Sequence, residues 1–166
     1  MRLMKVAVIA SCALFALLVA FNNVVDYGTN LAFVRHTLSM DTTFPDNALR
    51  GRAIHAEWVH HAAYGAIIAA EALTGVLLAI GAWRLFRLRH APASRFNAAK
   101  TLALAGGGIG FLLWFTGFMI IGGEWFAMWQ SPQWNGQQAA FRFYMTLLGV
   151  MILVIQPDHD AEETRS

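Results

Sequence analysis

Apolar residues run along this chain in four blocks, at positions 4–21, 58–83, 101–123 and 141–155, separated by polar breaks. A bilayer's hydrocarbon core takes about 20 apolar residues of helix to cross. Backbone groups inside that core must be satisfied within the segment, so apolar blocks of this length read as helices. Allowing each helix its interfacial ends, spans of about 3–21, 56–83, 101–123 and 138–156 are expected. The fold expected is all-α, a bundle of four transmembrane helices forming a single integral membrane domain over residues 1–166.

The breaks carry structure of their own. The first helix should end near Asn22 and Asn23, residues that favour helix ends and interfaces. Beyond them Val24, Tyr27, Leu31, Val34 and Leu38 recur every three or four positions, with Asp26, Asn30 and Arg35 between. That pattern fits an amphipathic helix lying at the membrane surface. Asp41, Thr42, Thr43 and Pro45 then punctuate the chain, and Asp46 is a plausible cap for the approach to the second span. Residues 88–99, with Pro92 and Ser94, read as a short connection. Residues 122–142, GGEWFAMWQSPQWNGQQAAFR, read as a hairpin linker at the membrane surface, and the tail from Gln156 as polar, acidic and frayed.

Composition excludes an ordinary soluble domain: 166 residues are 57% hydrophobic, with mean hydropathy +0.48. Four spans leave no room for a soluble catalytic unit. The first block could imitate a signal peptide ending at Cys12, but only about six apolar residues precede that cysteine, against the 7–15 expected, and the run continues to Phe21. With Cys12 alone, no intrachain disulfide can form. Arg84, Arg87, Arg89, Arg95 and Lys100 crowd one loop, Arg2 and Lys5 precede the first span, and the opposite side holds Arg35, Arg50, Arg52 and Arg142. The bias of basic residues toward the cytoplasm puts both termini and the second loop inside and the amphipathic segments on the periplasmic side. The net charge of +2 is then a topology signal and gives no reason to expect nucleic acid.

Candidate chemistry concentrates on the second span. Glu71 lies near its middle, where a carboxylate costs roughly 3 kcal/mol or more unless it faces protein or water. It reads either as a proton or ligand site with Tyr64 and Thr116 nearby, or as a neutral acid hydrogen-bonded to Thr116, Thr146 or a backbone carbonyl. Glu57, His60 and His61 have metal- or haem-ligating chemistry. Yet adjacent histidines diverge by about 100° on a helix, and a metal site needs three or four convergent ligands. No other span holds a histidine, which leaves Met119 or Met145 as a second haem ligand. Gly106 and Gly110 should let the third helix approach the small face of the second, formed by Ala62, Gly65, Ala66, Ala69 and Gly75. This is expected to be the tightest contact in the bundle. Trp125, Trp129 and Trp134, with Trp58 opposite, form an aromatic belt, and Glu124 and Arg142 should pair across the hairpin. That belt serves as an anchor, or as a surface for a partner protein or quinone-like ligand. No nucleophile and base constellation stands out among Ser39, Thr42, Thr43 and Ser131.

Three segments, DYGTNLAFVRHTLSMDTTFP at 26–45, HHAAYGAIIAAEALTG at 60–75 and IGGEWFAMWQSPQWNGQQAAFR at 121–142, resemble the bacterial family of predicted small integral membrane proteins termed domain of unknown function 2165. The resemblance spans nearly the whole chain in order. It implies a four-span inner-membrane protein and supplies no catalytic residues. Together these readings favour an accessory or interaction subunit without evident catalytic machinery or cofactor, with the bilayer and a membrane protein or second copy as partners. The alternatives are a haem- or metal-binding redox subunit using Glu57, His60 and His61, or a small proton-coupled transporter using Glu71.

Overall fold

A computed structural model describes residues 1–160 of the chain. Its described residues form helices and connecting turns with no strand, and four helices or helix runs are long and apolar enough to cross a membrane: Arg2–Val25, Glu57–Arg87, Ala93–Trp125 and Gln137–Ile155. The helices along the chain are α1 (Arg2–Val25), α2 (Tyr27–Ser39), which lies outside the four spans, α3 (Glu57–Arg87), α4 (Ala93–Ala98), α5 (Thr101–Leu112), a π-helix over Leu113–Trp125, and α6 (Gln137–Ile155).

α1 ends at Val25, two residues past the expected Asn22 and Asn23, and the Asn23 side chain is used inside the bundle. Asp26, at φ −106° and ψ 52°, breaks the helix, and α2 begins at the next residue. Met40 closes α2 in the left-handed region at φ 51°, a conformation that costs an L-residue roughly 1–2 kcal/mol. Its side chain is 1% exposed, packed with Leu31, Val34, Leu38, Tyr64, Phe126 and Ala127, and that burial offsets the strain. The segment that follows is tied back to α2 where the Ile54 amide donates to the Leu38 carbonyl at 2.8 Å. α3 opens on Glu57 and closes on Arg84 and Arg87, charges that suit the helix dipole at each end. Pro92 immediately precedes α4, where a missing amide hydrogen costs nothing.

The most extensive helix contact is α1 against α3, and the pairing of the second and third spans, expected to be the tightest, comes next in extent. Ile9, Ala13, Ala16 and Ala20 form a buried stripe of mostly small residues along α1, which brings the two backbones close. Gly75 belongs to this contact: a Cβ there would lie 2.6 Å from Leu17 Cγ. Gly106 and Gly110 do face α3, but against Leu77, Leu78 and Thr74, and Gly110 also meets Leu147 of α6. The closest α3–α5 approach includes Gly81, where a Cβ would stand 2.7 Å from the Ala103 nitrogen. Ala62, Gly65, Ala66 and Ala69 are instead exposed, and nothing lies within 4 Å of a Cβ on Gly65.

At one end of the bundle the start of α1, residues 156–160 and the α3–α5 connection meet. Arg2 Nη1 donates to the carbonyls of Arg89 and Ala91 at 3.1 and 2.6 Å. Lys5 and Lys100 each place Nζ 2.7 Å from Asp158 Oδ2. Burial works against this carboxylate, but the hydrogen bonds and charges of Lys100 and Lys5 outweigh it and hold the pKa below its ordinary 3.8. The tail is therefore not frayed from Gln156: residues 156–160 are stapled to the helix ends, and only 161–166 lie outside the described residues.

Candidate functional site

The α1 stripe has a period that carries it one step further, from Ile9, Ala13, Ala16 and Ala20 to Asn23. Asn23 therefore points toward α3, where Nδ2 donates to Glu71 Oε2 at 2.7 Å and its carbonyl accepts the Tyr64 hydroxyl at 2.8 Å. Glu71 and Tyr64 are each 2% exposed and sit seven residues, two helical turns, apart on one face of α3. The partner of Glu71 is thus an amide on α1. Thr116 and Thr146 do not reach it: Thr146 bonds the Arg142 carbonyl of its own helix, and Thr116 makes no side-chain hydrogen bond among the described residues. Glu71 Oε1 takes no hydrogen bond among the described residues either.

Beside this trio lies a cavity of about 220 Å³, lined by Asn23, Asn30, Tyr64 and Glu71 and walled by Phe33, Trp114, Phe118 and Phe143. Trp114 is 2% exposed and meets Phe143 edge to face at 5.3 Å. A second cavity of about 190 Å³ shares Phe33, Val34, Ile67 and Phe118 with the first and is lined almost wholly by apolar groups. Gly117, Phe118, Ile121 and Gly122 of the π-helix form part of its wall. The wide turns of a π-helix recur at functional sites, where they displace side chains from α-helical register. α2 roofs both cavities through Phe33 and Val34.

The histidine group disperses. His60 is 3% exposed, and its Nε2 donates to the Ile54 carbonyl at 2.8 Å, which anchors the loop before α3. His61 points the other way, with Nδ1 2.8 Å from the Tyr27 hydroxyl oxygen, and Tyr27 packs on Tyr64 with ring centroids 4.8 Å apart. Glu57 pairs with Arg35 at 2.8 Å on the surface. The three residues expected to share a metal or haem thus serve three different partners. No group of three or more His, Cys, Asp or Glu side chains converges as a metal site among the described residues.

The aromatic band is held together differently from the expectation. Among the described residues no ion pair joins Glu124 and Arg142. The hairpin is closed instead by shape: a Cβ on Gly123 would strike the Gln137 amide, and one on Gly136 would lie 2.8 Å from Phe33. Arg52 donates to the Trp125 carbonyl at 3.1 Å and covers its ring at 4.4 Å. Trp129 meets Phe44 edge to face at 5.9 Å. Trp134 stacks on His36 at 4.6 Å, and His36 Nδ1 lies 2.8 Å from Asp41 Oδ2. α2, the loop before α3 and the hairpin therefore form one cap over the cavities. Trp58 stays 74% exposed, outside that cap.

Sequence reasoning missed Asn23 by assigning it to a helix end, although the small-residue stripe of α1 pointed to it. It also missed Asp158, whose two lysine partners lie 58 and 153 residues away and leave no local pattern. No curated protein and no solved structure matches the chain. A family model described as predicted small integral membrane protein (DUF2165) matches residues 1–157, and the chain belongs to that family.

Proposed function

We propose that this protein is a non-enzymatic accessory protein of the bacterial inner membrane, with both chain ends cytoplasmic, and that its cavity beneath the α2 cap holds a lipid-soluble molecule with a flat, hydrogen-bonding head, of the quinone class. The observation that carries this reading is Glu71: a carboxyl group set among aromatic walls, with one oxygen held by Asn23 and the group itself lining a cavity. Buried carboxyl oxygens are as a rule hydrogen-bonded to protein or to ordered water, so Oε1 is left as an acceptor for a group in the adjoining cavity. Pockets that combine apolar walls with few convergent polar groups are the usual form of a small-molecule site. The orientation rests on the basic residues gathered at the end where Arg2, Lys5, Arg89 and Lys100 meet.

Native mass spectrometry of the tagged protein, extracted from its own membranes in mild detergent, tests this. The expected spectrum shows a small apolar mass that is lost in Glu71→Leu and retained in Glu71→Gln. Co-purifying subunits at fixed ratio would identify the assembly it serves. A spectrum in which the wild-type protein carries no such mass overturns the ligand reading.

A second reading has its own observation. His61 and Tyr27 at the cap, then Tyr64, Asn23 and Glu71, form a file of polar groups leading inward from the surface. Such a file suits proton delivery to Glu71. Proton uptake in liposomes that disappears in Glu71→Gln would favour transport, and uptake equal to that of empty liposomes would exclude it.

A further inference from the structure

Among the described residues, the buried centre of the clasp at the basic end is electrically unbalanced. Lys5, Lys100 and Asp158 have side chains 3%, 4% and 6% exposed, so two ammonium groups and one carboxylate are withdrawn from water together. A buried charge without a counter-charge is costly, by several kcal/mol per ion in general. Lys100 spends its three N–H donors on Asn97 Oδ1, the Gln156 carbonyl and Asp158. Lys5 spends two, on the same carbonyl and the same carboxylate oxygen, and keeps one.

Lys5 lines a hollow of about 590 Å³ that also takes in Arg2, Arg89, His90 and Asp158, and Arg2 already has a counter-charge in Asp160, with Nη2 3.5 Å from its Oδ1. Arg89 has no carboxylate partner among the described residues; it donates to the Phe86 carbonyl at 2.8 Å and lies over the Phe86 ring at 4.1 Å. Leu3 and Leu153 form the apolar side of the hollow, which therefore opens along the seam between α1 and α6. Further down that seam is a second hollow of about 340 Å³, lined by Cys12, Phe15, Trp114, Phe143 and Leu147. From Lys5 to Cys12 is seven residues, or about 10 Å of helix rise, well within the reach of an acyl chain.

We propose that the α1–α6 seam is a binding site for one anionic glycerophospholipid, with its phosphate at Lys5 and Arg89 and one acyl chain running to the Trp114 hollow. The phosphate supplies the anion that the clasp lacks, and basic pockets between helix ends are a recognised form of lipid headgroup site. The apolar seam selects a lipid over free phosphate, since inorganic phosphate would use only the upper hollow.

The test places the full chain in nanodiscs containing equal amounts of phosphatidylglycerol and phosphatidylcholine, followed by native mass spectrometry. One phosphatidylglycerol should stay bound, retained roughly tenfold over phosphatidylcholine. Arg89→Gln with His90→Gln, which leaves the clasp untouched, should bring the two lipids to parity, and Cys12→Trp should displace the acyl chain and lower retention of both. Glycerol 3-phosphate and inorganic phosphate, added to delipidated protein, should not raise its melting temperature as phosphatidylglycerol does. Equal retention of the two lipids by the wild-type protein overturns the proposal, whether or not any variant folds. So does stabilisation by inorganic phosphate as strong as that by the lipid.

Discussion

Asn23 shows how much one amide can hold in an apolar bundle. Its side chain serves Glu71 and its carbonyl serves Tyr64, so a single residue of α1 fixes two polar groups of α3. Asn23→Leu strands the carboxyl group and should cost about 1–3 kcal/mol of stability, the general penalty for an unsatisfied buried polar group. Glu71→Gln keeps an oxygen for the same donor and should cost less. Thermal melts of the two variants in one detergent check the order, and equal losses would contradict it. Asp158 makes a second claim, on pH. Its folded-state pKa lies below the ordinary 3.8, so the stability it contributes is fully present above that value and is lost as pH falls through the lower, folded one. Acid melts should show a step below about pH 3.8 that is absent in Asp158→Asn. That variant should also be weaker at neutral pH by roughly 3–5 kcal/mol, because two buried lysines lose their shared partner. Glu71 was legible in the sequence because a carboxylate in an apolar run is conspicuous on its own. Asn23 could be found only by extending the small-residue stripe of α1, and Asp158 not at all, since an acid in a polar tail looks ordinary until its distant partners are in place.

Helix contacts in this bundle are decided by where Cβ atoms are small or missing. Gly81→Ala would put a methyl group against the backbone of Ala103, which cannot swing aside, and should cost about 1–3 kcal/mol as an overpacked site. Gly65→Ala meets open space and should be neutral or slightly stabilising. Melting temperatures of the pair, measured side by side, test whether the α3–α5 approach lies at Gly81 rather than along the face containing Gly65. Helix existence and rough span positions could be read from hydropathy, which averages over many residues and tolerates local error. Partner choice could not: Ala13, Ala16 and Ala20 allow as close an approach as a glycine pair but attract no notice in an alanine-rich span. The π-helical winding over Leu113–Trp125 was equally hidden, because hydropathy reads that stretch as part of one ordinary apolar helix.

The molecule has two unlike ends, an aromatic cap over cavities and a basic clasp joining the start of α1 to residues 156–160. The proposed orientation is open to a direct check with Gln133→Cys in the cap and Ser94→Cys beside the clasp, each exposed, in a Cys12→Ser background. A membrane-impermeant maleimide applied to intact spheroplasts should label only the first, and labelling of Ser94→Cys in preference would invert the topology. The clasp also bears on biogenesis. Lys5 emerges from the ribosome 153 residues before Asp158, so its ammonium group stays without its carboxylate while the helices are being inserted one after another. The first helix would then be threaded early but seated late, its end held at the headgroups until the last span has crossed. Assembly order and chain direction are coupled in this way, and a chain that stops short of Asp158 would leave helices in the bilayer with nothing to lock the first against the last.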